Sequence, residues 1–217
     1  MMTLLACLTA LILSAILLLP PAWLVHRVLT YQVQIEDRVL LQQNVDRSLK
    51  LISRAIQGAG YQSSSMQNSL TVNPITIQKG GSSRGSDAIV LTQDIPDKLG
   101  YDCMGNPLML ERTIKQQAYE RFYLEPSWHD SRTQILMCQG VDRQGRLHQG
   151  EILSNVQSLQ IDWVQAHSLN QAPNISRTPS GLVAITLRVQ AHAGPNNPTR
   201  VIEQTHYVSQ RHGTHNP

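Results

Sequence analysis

Phenylalanine is nearly missing from this chain. One Phe occurs in 217 residues, with three Trp, and aromatic residues make up 5%. A core with so few large rings must lean on Val, Ile and Leu, which favours strands over a helical bundle in the C-terminal part. Charge is sparse too. Asp, Glu, Lys and Arg supply 15% of residues, and the formal net charge of +3 is too small to argue for a nucleic-acid partner by itself. There is no phosphate-binding glycine loop and no His-Glu-x-x-His, so nucleotide-binding and zincin chemistry lose their usual carriers. No catalytic residue, cofactor site or metal site is nominated, and the chain reads as a non-enzyme. No repeat of fixed period occurs.

Cysteine is limited to three residues, without a Cys-x-x-Cys pair. Cys7 lies in an apolar run and behaves there as a small hydrophobe. Cys103 and Cys138 lie in the polar part. An exported domain would bring them into an oxidising space where pairing is expected, whereas a cytosolic one would leave them as thiols.

What is abundant sits at the start. Thr3 to Leu19 carry no charge, Pro20 and Pro21 interrupt, and AWLV extends the apolar character to Val25. About 22 helical residues reach about 33 Å, the depth of a bilayer core. A secretory signal peptide would need a basic n-region and a small-residue cleavage site. No Lys or Arg precedes His26–Arg27 and no Ala-x-Ala follows the run, so a retained anchor is the better reading. The basic residues after the span pull the other way on orientation, toward a cytosolic C-terminal side.

From His26 to Gln57 there is neither Pro nor Gly. Val45, Leu49, Ile52, Ile56 and Ala59 recur at helical spacing, and Val28, Ile35 and Val39 extend a similar stripe upstream. Asp37, Arg38, Asp46, Arg47, Lys50 and Arg54 fit the wet face. An amphipathic helix is expected, ending at Gly58-Ala59-Gly60.

The remainder reads as β. In GLVAITLRVQAHA, Val183, Ile185, Leu187 and Val189 alternate with polar or small residues, as a half-buried strand requires. GPNNP then turns the chain into RVIEQTHYVSQ, predicting an antiparallel hairpin. Leu159, Ile161 and Trp163 alternate likewise. AYERFYLE and TQILMCQG form another candidate pair, DRQGR a turn, and SDAIVLTQ and SLTVNPITIQ shorter strands. KGGSSRGS reads as flexible, and NQAPNISRTPSG as a long polar loop. The expected fold class is α+β, with a long N-terminal helix packed on a mainly antiparallel sheet. Its divisions are 1–25 for the membrane half of the helix, 26–60 for the amphipathic half and 61–217 for the β-rich head.

Other polar groups carry weaker signals. His212 and His215 lie in a polar tail, Asp94, Asp97 and Asp102 are too loosely spaced for a calcium loop, and Asn174-Ile175-Ser176 is a chance-frequency sequon. Arg143 and Arg146, with Arg188 and Arg200, are the one candidate basic patch. They lack interleaved aromatics, so nucleic-acid binding is unsupported by pattern.

The layout resembles the type IV pilins and pseudopilins. The match narrows to PilW-like minor pilins through SRAIQGAGY at the helix exit, SDAIVL at Ser86–Leu91, DCMG at Asp102–Gly105, and ILMCQG followed by GEILSNVQSLQIDW. Their succession carries the likeness over most of the chain. The start departs from the family pattern. Thr3, Leu4 and Leu5 match, but Met1 stands for the leader glycine, Met2 for the aromatic and Ala6 for the glutamate. Cleavage and methylation are therefore not implied, and a start upstream is left open. A membrane-buried carboxylate is costly unless paired. With Ala6 there is neither that cost nor that pairing, as suits a subunit with nothing above it or a degenerate pilin that no longer enters filaments.

The resemblance implies a pilin-like fold and a structural role in a tip or priming complex that starts pilus assembly. Other minor pilins and the major pilin would contact the N-terminal helix, after residence in inner-membrane lipid with the head in the periplasm. The alternatives are a type II secretion pseudopilin, or a tip subunit binding a surface or DNA through the loops Lys79–Ser86 and Ala166–Ser180.

Overall fold

The computed structural model describes residues 2–59, 74–94, 100–108, 117–128, 132–141, 146–164, 182–190 and 201–209 of the chain. Two compact units are distinguished, Met1–Gln42 and Gln43–Pro217. One helix, α1 (Met2–Gly58), runs from the first into the second and continues through Pro20–Pro21.

In the first unit every described side chain up to Leu40 is exposed, including Leu4, Leu8, Leu13, Leu24, Val25, Leu29, Val33 and Leu40. The Arg27 guanidinium lies 4.5 Å over the Trp23 ring, one helical turn away. Thr9 and Thr30 hydroxyls donate to the carbonyls of Ala6 and Arg27, which satisfies them without a partner from outside the helix. Among the described residues no helix is long and apolar enough to cross a membrane. Of the expected anchor, the side chains of residues 1–3, 5, 11, 12, 15–20 and 22 lie outside the description.

Among the described residues the second unit holds nine strands: β1 (Ile75–Gln78), β2 (Ala88–Asp94), β3 (Gly100–Tyr101), β4 (Pro107–Leu108), β5 (Gln117–Pro126), β6 (Gln134–Val141), β7 (Leu147–Val164), β8 (Leu182–Gln190) and β9 (Val201–Ser209). Seven form one sheet in the order β1-β2-β5-β6-β7-β8-β9, and β3 pairs with β4 separately. Every pairing is antiparallel. Val183, Ile185, Leu187 and Val189 are fully buried, and β8 meets β9 along its whole length, as the alternation predicts. The strand read from VQSLQIDW is longer than expected. It begins at Leu147 and pairs with both β6 and β8.

The inner rows follow from the registers, because directly opposite residues share a face. Ile89, Phe122 and Cys138 make one row, and Leu159 and Leu187 belong to another. All five are fully buried. Val45, Leu49, Ile52, Ile56 and Ala59 of α1 are also fully buried, and the Gln204 amide on β9 donates to Asp46 at 2.6 Å.

The expected pilin-like layer, a long helix packed on a sheet, is corrected. The sheet curls into a half-barrel, and burial of the stripe stops at Val45. Upstream, Val28, Ile35 and Val39 are 46–48% exposed. The reason lies in β7. Its register shifts against β6 between Gln134 and Met137, and against β8 between Val156 and Ser158. Asn155 takes a positive φ of 59°. Bulges of this kind bend a strand and increase its twist, so the sheet closes upon its own inner rows. Helical periodicity reports which residues share a face, and says nothing of how much sheet lies opposite that face.

KGGSSRGS, read as flexible, is tied down. Lys79 Nζ donates to Asp87 Oδ2 at 2.9 Å, to the Ile161 carbonyl at 2.6 Å and to Asp162 Oδ1 at 2.7 Å. Asp87 also accepts from the Gly80 and Ile161 amides at 3.1 and 2.8 Å. The Ser82 hydroxyl donates to the Leu124 carbonyl, and Arg84 to that of Arg132. Burial alone would raise the Asp87 pKa, but the Ile161 amide, Lys79 and the Gly80 amide together hold it below its ordinary 3.8. A carboxyl lowered by folding stabilises the fold above its unfolded pKa, and that contribution is lost as pH falls through the folded value. Asp87→Asn should therefore destabilise the protein by about 1–3 kcal/mol at neutral pH. The gap to the native protein should close as denaturation is followed into acid below the ordinary carboxylate range.

Candidate functional site

The least ordinary chemistry of the described residues gathers where the β3–β4 turn lies over β5, β6 and β7. Asp102 organises that turn. Its Oδ1 accepts from the Met104 and Asn106 amides at 2.9 and 2.7 Å, and its Oδ2 from Asn106 Nδ2 at 3.0 Å. The Asp102 amide donates to the Asn106 carbonyl, and the Gly105 amide to the Asp102 carbonyl. Gly105 has a φ of +81°, a left-handed conformation that suits glycine. An aspartate followed by such a glycine is a turn signal with a mechanism.

Two links attach this turn to the sheet. Cys103 is disulfide-bonded to Cys138 on β6, with the Cα atoms 6.4 Å apart, and Cys138 is fully buried. The Cys103 amide donates to Glu120 Oε1 on β5 at 3.2 Å. Asp102 Oδ2 also lies 3.3 Å from His148 Nε2 on β7, an ion pair whenever that imidazole is protonated.

The sheet makes room for the turn. Leu91, Glu120, Gly140 and His148 form one cross-strand row, and Cys138 stands opposite Gly150 in the next. A Cβ on Gly150 would come within 3.1 Å of Met104 Sδ, so glycine there permits the close approach. A Cβ on Gly140 would meet the His148 ring in the same way, at 3.2 Å.

Glu120 is 5% exposed. Burial, and then the Asp102 charge, push its pKa from 4.5 up to about 7, against the pull of the Cys103 amide and Arg54. A single amide is too little to hold a buried carboxylate in its charged form.

This grouping was only partly visible in advance. The sequence pattern marks Cys103 and Cys138 for pairing and Asp102 within a loosely spaced acidic trio, and both Asp102 oxygens serve the turn. The sequence pattern assigns no role to Glu120 or His148, whereas Arg54, expected on the wet face, is exposed there and its charge acts on Glu120. A signal for Glu120 existed. In AYERFYLE it falls in phase with Ala118, Phe122 and Leu124, all buried, so a charged residue occupied an apolar position. Nothing comparable marked His148, whose neighbour arrives from the Asp102 turn.

Other nominated residues stay apart from this place or cannot be placed. Ala6 is exposed on α1; Met1 and the side chain of Met2 lie outside the described residues. Arg146 is described and exposed, but Arg143 and Arg200 lie outside the described residues, so the basic patch has no geometry. Arg188 stands opposite Glu203 on β9. Asp97, His212, His215, the Asn174–Ser176 sequon and the Ala166–Ser180 loop also lie outside. Among the described residues no three His, Cys, Asp or Glu groups come together to hold a metal ion. Comparison of the chain with family models, with curated proteins and with solved structures returned no match.

Two measurements test the energetics. Glu120, with its pKa raised by folding, contributes stability that is complete below its unfolded value near 4.5 and lost as pH rises through about 7, a withdrawal of about 3 kcal/mol. Urea denaturation between about pH 5 and 8 should show that fall in the native protein. Glu120→Gln should flatten it and be the more stable chain at the alkaline end. Replacing Cys103 and Cys138 together by Ser should cost about 3–4 kcal/mol at fixed pH, as a loop of separation 35 implies, read from the midpoint under non-reducing conditions.

Proposed function

We propose that this chain is a PilW-like minor pilin, a structural subunit of a type IV pilus that joins a tip or priming complex and helps start assembly. One observation carries the reading. The described apolar side chains of the first forty positions are exposed, with Leu4 74%, Leu13 60%, Leu24 59% and Leu40 56% exposed. So much contiguous apolar surface marks a lipid or protein interface. A helix that must be covered by something outside the chain suits a subunit stored in the inner membrane and then packed among neighbouring helices.

Two further points support it. The helix exit with Arg54, the DCMG turn, ILMCQG and the glycine opening GEILSNVQ all contribute to the Glu120 and Cys103–Cys138 grouping. The landmarks that carry the family resemblance, SDAIVL apart, thus share a physical task. The disulfide also suits a head in the periplasm. Association through other minor pilins and the major pilin is part of the proposal, and no chemistry is assigned to the head.

Deleting the gene in the producing cell should reduce the number of pili, and the tagged protein should co-purify with other minor pilins. Normal piliation together with blocked export of a secreted protein would assign the subunit to a type II secretion machine instead. Intact piliation with lost DNA binding in Arg143→Ala/Arg146→Ala would assign it to recognition at the tip.

A further inference from the structure

We propose that β9 is a self-pairing edge, on which a second copy of this chain docks antiparallel about Thr205 and continues the sheet. This goes beyond the structural role above and does not depend on it. Among the described residues the seven-stranded sheet ends in β1 and β9. At one end β1 is four residues long and follows Pro74, so it offers little to a newcomer. At the other end β9 has nine residues, VIEQTHYVS, with no Pro, Gly or Lys. It follows β8 from Val201 to Ser209 without a register shift. An antiparallel strand directs alternate N–H and C=O groups to each side, so a regular nine-residue edge is a template for another strand. Bulges, lysine, proline and shortness, the usual protections of such an edge, are all missing from β9.

The strand's own sequence selects the occupant. When β9 pairs antiparallel with its copy, a two-fold axis through Thr205 is the register that gives all nine residues a partner. Val201 then stands opposite Ser209, Ile202 opposite Val208, Glu203 opposite Tyr207 and Gln204 opposite His206. The two faces of the strand are kept. Ile202, Gln204, His206 and Val208 form its half-buried to buried side, and Val201, Glu203, Thr205, Tyr207 and Ser209 its exposed side. Apolar residues meet at Ile202 and Val208. The single carboxylate, Glu203, meets a phenol instead of its own copy, so no like charges face each other. On the inner side Gln204 already donates to Asp46 of α1 at 2.6 Å, which leaves the edge for a partner. Val201 and Tyr207, 39% and 66% exposed, gain cover from the added strand. An isologous contact of this kind closes after two copies.

The test is oxidative cross-linking of the full-length chain in detergent micelles, with Cys7, the free thiol, replaced by Ser. Directly opposite residues in an antiparallel pair have Cα atoms about 4.5–5.5 Å apart, within disulfide reach. Thr205→Cys should therefore form a covalent dimer. Glu203→Cys sets its two thiols four positions apart along the paired strands, about 13 Å, and should cross-link at least about tenfold more slowly. An equal mixture of Glu203→Cys and Tyr207→Cys chains should recover the fast rate as a mixed dimer, because those positions oppose each other. Equal rates for Glu203→Cys and Thr205→Cys overturn the proposal. So does the absence of a Thr205→Cys dimer, the result expected if another segment of the chain or a different protein occupies the edge. Should Thr205→Cys fail to fold, the mixture decides, and a mixed dimer forming no faster than either chain dimerises alone overturns the pairing.

Discussion

One strand must serve two neighbours. β7 pairs with β6 from Leu147 to Val156 and with β8 from Val156 to Val164, and it cannot do both as a flat ribbon. The register shifts near Leu136 and Val156 keep its apolar residues inward. Leu153, Val156, Leu159 and Ile161 remain buried although their spacing is not uniformly two. The same shifts curl the sheet. The inner rows then enclose much of the core, and the helix contributes only from Val45 to Ala59.

Two buried carboxylates answer to strands that neighbour or face β7, and they have opposite electrostatic fates. Asp87, 6% exposed, receives two amides and the Lys79 ammonium, and is held ionised below its ordinary range. Glu120, 5% exposed, receives one amide and a like charge, and is pushed toward neutrality. Glu120 lies deeper among protein groups than Asp87 and also has fewer donors, so desolvation and the donors supplied together set the difference. The first carboxylate locks a glycine-rich loop to Ile161. The second lies beneath the Cys103 turn, beside the covalent bond to Cys138.

The structure divides what holds the head together from what the chain offers outward. The head satisfies itself through inner rows, one disulfide and the Asp87 clamp. The described apolar side chains of α1 up to Leu40 are exposed. Assembly proteins commonly separate these tasks, since an interface must remain available until a partner or a bilayer covers it. The Glu120 grouping belongs to the first task.

Local pattern was legible in the residues themselves. The alternation of Val183, Ile185, Leu187 and Val189 established a strand and its buried face, because a period of two has one meaning on a pleated backbone. The helical stripe ending at Gly58 was equally plain, as was Glu120's intrusion into an apolar phase. Pairing across the sheet was not legible. Curvature depended on bulges, which appear only when two strands are laid side by side with mismatched lengths. The meeting of Asp102 with His148, of Met104 with Gly150 and of Arg54 with Glu120 depended on that curvature. Sequence alone determined which faces are apolar and where turns fall, since these follow from the chemistry of neighbouring residues. Only the tertiary structure decided how far the helix is buried and which carboxylate keeps its proton, since both depend on groups brought from distant parts of the chain.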